Sequence, residues 1–97
     1  MITVSRYYIS YLSLNKISDS LADLCRAHNI KKIKKLSIIV DKNSHVNSEN
    51  LYEHLCNFNT NLAGEWTEVI VEQEHLDTQI AILHSIEGEK VEDGGLV

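Results

Sequence analysis

The sequence holds no proline, four glycines and two cysteines in 97 residues, and each scarcity removes a class of structure or chemistry. Without proline the usual markers of rigid turns and linkers are missing, and no segment reads as a linker or an internal repeat. The only glycine pair, Gly94-Gly95, has no strand or helix after it, so a phosphate-cradling loop is excluded. Cys25 and Cys56 lack CxxC spacing; they read as free thiols in a reducing cytoplasm, with a single disulfide as the lesser alternative. No apolar run approaches the ~20 residues of a membrane-spanning helix. The opening MITVSRYYISYLSL is too polar and too rich in tyrosine for a secretory signal.

What is present suits one small folded domain. A hydrophobic share of 43% and a charged share of 24% are ordinary for a globular chain. We expect a single α+β domain over residues 1–88 and a flexible acidic tail over 89–97, where Gly94 and Gly95 fall. The net charge of −5 is unevenly spread: residues 1–64 carry 8 basic and 5 acidic side chains, whereas residues 65–97 set Lys90 against 9 acids. Overall acidity argues against non-specific nucleic-acid binding, which is driven by phosphate neutralisation.

Residues 2–12 alternate (Ile2, Val4, then Tyr7, Ile9, Tyr11) with a change of phase near Arg6, as a strand with a bulge or bend would. From Leu14 the period becomes helical: Leu14, Ile17, Leu21, Leu24 and Cys25 form one stripe, with Ser13 as cap and an end near His28-Asn29. Asn29 suits that end because its short polar side chain tolerates the left-handed conformation. Leu36, Ile38 and Val40 share one face of a strand, with Ser37 and Ile39 on the other, before a turn at Asp41-Lys42-Asn43-Ser44. Asn47 then caps a second helix. Glu49 lies in its first turn, Val46 and Leu51 are placed as a hydrophobic staple, and Leu51, Leu55, Phe58 and Leu62 are its expected buried stripe. Residues 66–73 and 78–86 read as two strands of a hairpin joined by Glu74-His75-Leu76-Asp77, with Ile80, Ile82, His84 and Ile86 on one face. The expected order is β-α-β-α-β-β, two helices on one face of a three- to four-stranded mixed sheet.

No residue set has the spacing that known chemistry demands. Zinc requires about four converging ligands, commonly from short-spaced pairs. His28, His45, His54, His75 and His84 are scattered, and structural histidines are the better reading. Both cysteines lie in or beside apolar stripes, where a thiol behaves as a small hydrophobe. Carboxylate pairs such as Glu72 with Glu74 and Asp19 with Asp23 read as solvated faces. The run Lys31, Lys32, Lys34, Lys35, with Arg26 before it, could meet phosphate, but it lacks interleaved aromatics and reads instead as lysines that blunt a strand edge. We assign no catalytic, cofactor-binding or metal residue. The candidates for an interface are Tyr7, Tyr8, Tyr11, Tyr52 and Trp66, because Tyr and Trp anchor protein contacts.

The central segment resembles the N-terminal, non-zinc domain of the nickel-insertion chaperones that mature nickel-iron hydrogenases. The likeness rests on His28-Asn29, Lys31-Lys32-Ile33, Leu36-Ser37-Ile38 and Ser44-His45-Val46-Asn47-Ser48-Glu49 with Leu51, preceded by Leu12-Ser13-Leu14. It covers roughly residues 10–73. Nickel in that family is held by an N-terminal Met-His-Glu and zinc by two CxxC pairs. This chain begins Met1-Ile2-Thr3 and has no CxxC, so the resemblance implies an α+β scaffold and a protein-docking role without the metals. The expectation is a non-catalytic cytoplasmic protein-binding module, dimeric or bound to another protein, with no cofactor, nucleic acid or membrane. The alternatives are an acidic inhibitor or immunity-type protein covering a basic target, and a small enzyme with its site at a dimer seam.

Overall fold

The computed structural model describes residues 2–10, 13–77 and 79–90. Six elements follow the expected order: β1 (Ile2–Ser10), α1 (Leu14–Ala27), β2 (Ile30–Asp41), α2 (Ser48–Phe58), β3 (Glu68–Glu74) and β4 (Ile80–Lys90). The strands form one mixed sheet in the order β1-β4-β2-β3. β4 is antiparallel to both β1 and β2, and β3 is parallel to β2. The helices pack on each other and on the sheet, so both cover the same face.

Each helix is bounded as its sequence dictates. Ser13 Oγ accepts from the Lys16 N–H at 3.3 Å, and α1 closes at Asn29, whose φ of 58° is positive. Asn47 Oδ1 accepts from the Asn50 N–H at 2.8 Å, and Asn50 Oδ1 accepts from the Asn47 N–H at 2.9 Å. This capping box uses asparagine where Glu or Gln is usual. The buried stripes are Ile17, Leu21 and Cys25 on α1, and Leu51 and Leu55 on α2. They meet Leu36, Ile38, Val40, Ala81, Leu83 and Ile86 of the sheet. Ser18 Oγ donates to Asn59 Oδ1, tying α1 to the cap that ends α2. Phe58 is a correction. It is 69% exposed and stacks against His54, because the helix ends there and the returning chain places Ala63 in the core instead.

The expected hairpin is also corrected. β3 and β4 are consecutive but not neighbours, since β4 inserts between β1 and β2. Their connection therefore crosses the end of β2, and Asp41 anchors it: Oδ1 accepts from the Leu76 N–H at 3.1 Å and Oδ2 from the Asn43 N–H at 3.0 Å. The facing of β4 differs as well. Ala81, Leu83 and Ile86 are buried, whereas Ile80 and Ile82 are half-buried and His84 is exposed, so the strand changes phase at His84-Ser85. That change pairs with the phase break read near Arg6, because Val4↔Ile86 and Tyr7↔Leu83 flank it in an unshifted β1–β4 register. On the other side β2 absorbs it, with a register shift between Ser37 and Ile38.

β4 runs to Lys90, so Glu89 and Lys90 belong to the sheet rather than to the tail expected from residue 89; residues 91–97 lie outside the described residues. Ion pairs accompany the extension. Glu89 receives Lys34 Nζ at 3.0 Å and Lys31 Nζ at 4.0 Å, and these cations hold its carboxyl below the usual range.

Candidate binding surface

The two helices leave the opposite face of the sheet uncovered. Register places Tyr8 opposite Ile82, Ile82 opposite Ile39, and Ile39 opposite Glu72, a single row across all four strands. Tyr8 is 78% exposed, Ile82 half-buried and Ile39 buried by its neighbours. Half-buried Ile80 flanks this row, as does half-buried Ile70 opposite Ser37. An aromatic ring beside three or four isoleucines on a solvent-facing sheet is the kind of apolar surface that contact surfaces use. The sequence carried one signal of it: Ile39 breaks the alternation of Leu36, Ile38 and Val40 by adding an apolar residue to the outer face. The sequence pattern puts Ile80, Ile82 and Ile86 on one face, whereas Ile86 lies on the buried face, because the phase change at His84 is invisible without the partner strands.

The five interface candidates are not brought together. Tyr8 lies on the edge strand β1. Tyr7 is in β1 opposite Leu83, and its side chain lies outside the described set, as does Tyr11 altogether. Tyr52 and Trp66 surround a different feature, the turn at Gly64. The Tyr52 hydroxyl donates to the Gly64 carbonyl at 3.3 Å, and its hydrogen bond with Cys56, followed by desolvation, raises its pKa. A Cβ on Gly64 would meet the Trp66 ring at 2.6 Å. Trp66 is 38% exposed, with Lys32 Nζ 4.7 Å from the ring centroid, a cation–π contact. Tyr52 and Trp66 therefore secure a loop, and Tyr8 is the aromatic left on an open surface.

The lysine run is not at a sheet edge, correcting the edge-blunting reading. β2 is an inner strand, and its first half has β4 on one side and the 62–67 loop on the other. Lys31 and Lys34 engage Glu89, and Lys32 engages Trp66, so three of the four are occupied within the molecule. Among the described residues, no three His, Cys, Asp or Glu side chains converge as metal ligands would. His45, His75 and His84 are exposed on three different segments. The His54 Nε2 is buried without a hydrogen-bond partner. Its ring packs 4.5 Å from Phe58, and Cys56, two residues on, leaves the helix in another direction. Burial pushes the Cys25 thiol up to about 11, so it stays protonated at neutral pH. Both cysteines are free thiols.

One cleft of about 490 Å³ opens where α2 begins beside β3, lined by Val46, Asn47, Ser48, Glu49, Val71 and Gln73. Two of its polar side chains are engaged, and a third disfavours an anion. Ser48 Oγ accepts from the Val71 N–H at 3.1 Å, Asn47 caps Asn50, and Glu49 opposes an anion at the helix start. Among the described residues, no helix is long and apolar enough to cross a membrane. No protein-family model, curated protein or solved structure matches the chain.

Proposed function

We propose that this chain is a non-catalytic protein-binding module that works by surface contact through the open face of its sheet. The row Tyr8–Ile82–Ile39, with Tyr8 78% exposed, carries this reading. Apolar area of this kind gains free energy when a partner removes it from water, at about 25 cal/mol per Å². The protein-docking role implied by the chaperone-like scaffold agrees with it. A cytoplasmic setting goes with the two unpaired thiols. The test is a photo-crosslinking amino acid at position 8, compared with the same group at exposed Glu53 on α2. We expect a discrete adduct with a polypeptide from position 8 and none from position 53. Equal, diffuse labelling from both would remove the reading.

A second reading has its own support. Glu68, Glu72 and Glu74 are all exposed along β3, as an inhibitor or immunity-type protein covering a basic target would require. Such a complex would weaken steeply with salt, whereas contact through the isoleucine row would not.

A further inference from the structure

We propose that β1 is the pairing edge for a second copy of this chain, so that two β1 strands lie antiparallel across a dyad and join two four-stranded sheets into one of eight. This rests on the contact reading above and names its partner. The sheet has two edges, β1 and β3, and they are built differently. A free edge invites another strand, and proteins suppress this with charge, bulges or covering groups. β3 has all but the bulge. In seven residues it carries exposed Glu68, Glu72 and Glu74, and Ser48 Oγ already takes the Val71 N–H. β1 carries little of this protection among its described residues. It is nine residues long, its register with β4 is unshifted, and Arg6 is its one charged residue. Ile, Val, Thr and Tyr, which favour strands, make up six of its nine positions.

Two-fold closure selects the β1 of a second copy as occupant, in the antiparallel arrangement. Pairing β1 with the β3 of another molecule would match Arg6 to glutamates, but it needs an edge whose Val71 donor is taken, and such head-to-tail contacts leave a free edge at each end unless a ring forms. Pairing β1 with itself closes at two copies. Centred on Tyr7, the register sets Arg6 of each copy opposite Tyr8 of the other and keeps the two cations from meeting. Each exposed Tyr8 then stands beside Arg6 of the other copy, with the two Tyr8 positions diagonal across the dyad at the ends of their Ile82–Ile39 rows.

Mass from light scattering, read from micromolar to millimolar protein, tests this together with amide hydrogen exchange on the same samples. We expect a dimer, with protection at consecutive β1 amides that rises with concentration; a single paired side protects only alternate ones. Tyr8→Lys places a second cation at the dyad and should weaken dimerisation by tenfold or more. Ile82→Lys, on the same face but one strand inside, should leave the mass unchanged. A monomer at every concentration overturns the proposal, as does a dimer or filament whose β1 amides are protected only alternately. A monomer that still crosslinks a different polypeptide from position 8 would sink the edge pairing and leave the contact reading standing.

Discussion

The two halves of the central strand are held by different means. From Leu36 to Asp41, β2 pairs residue by residue with β3, from Leu36↔Val69 to Asp41↔Glu74, and its register shifts only against β4, between Ser37 and Ile38. From Ile30 to Lys35 the buried residues are Ile30 and Ile33, with Leu36 next, a spacing of three that a flat strand cannot give. Two register shifts make it feasible, one between Ile30 and Lys32 and one between Ile33 and Lys35. Each leaves a lysine unpaired, Lys31 and Lys34, and both extra side chains reach Glu89. β3 reaches this half only at its end, where Lys35 pairs with Glu68. The Ile33 N–H donates to the Leu62 carbonyl at 2.7 Å, and Thr67 Oγ1 donates to the Ile33 carbonyl at 2.7 Å. One half is thus fixed by a main-chain ladder and the other by bulges, a loop and particular side chains. Regular pairing distributes its stability over many bonds, whereas the bulged half concentrates it in a few residues.

The largest effect should come from Gly88, which lies opposite Ile33 between the two bulges. A Cβ there would stand 2.5 Å from the Lys32 carbonyl oxygen and 2.5 Å from Ile30 Cγ2. A backbone oxygen cannot rotate away. Gly88→Ala is expected to cost toward the upper end of about 1–3 kcal/mol, read as a lowered denaturation midpoint at unchanged slope. Gly64→Ala is the control, since the added atom meets the Trp66 ring, a side chain that can yield. If the two changes cost the same, the bulged half is not the rigid feature described above.

Thr67→Val comes next. It removes the hydroxyl that donates to Ile33 and accepts from the Gly64 N–H at 3.2 Å, leaving two polar backbone groups unmatched in a buried place. About 1–2 kcal/mol should be lost, with faster amide exchange at Gly64 and little change along β3. Loss of protection spreading equally into residues 68–74 would mean that the two halves melt as one.

These same features explain what could be read in the sequence. Caps and stripes are local: Ser13, Asn29, Asn47 and the Val46–Leu51 pair act within a turn or two of themselves, and their signals survive without the fold. The open-face row and the bulges are not local. Ile80 and Ile82 read as sharing a face with Ile86 because nothing in 80–86 states that the phase changes at His84, a change matched by β1 and β2 from distant sequence. Lys31 to Lys35 read as an edge because a run of cations gives no sign of the Glu89 that meets it nearly sixty residues later. The hairpin reading failed for a similar reason: the short link after β3 permits a neighbour, but the inner place beside β2 buries Leu83 and Ile86 completely. Tyr8 was found among five aromatics, and only the sheet order separates it from Tyr52 and Trp66.

The regular half has one concentrated point of its own, and it tests the comparison from the other side. Asp41 ends β2 and accepts from the Asn43 and Leu76 N–H groups, which hold its carboxyl below the ordinary Asp value, with His75 adding to the effect. A lowered folded-state pKa means that the ionised form is favoured by folding. The contribution is therefore present above the unfolded value of about 3.9 and is lost as the pH falls through the lower folded one. Asp41→Asn keeps one acceptor but turns an amide donor toward the second N–H. It should lower the thermal midpoint at neutral pH by less than Gly88→Ala does, because the Lys42 N–H still donates to the Glu74 carbonyl at 2.9 Å across the same crossing. The gap between wild type and variant should close as the solution is acidified. A gap that stays constant down to pH values well below the ordinary Asp range would show that the carboxylate charge does not hold the connection. An effect exceeding that of Gly88→Ala would place the critical point of β2 at its regular end.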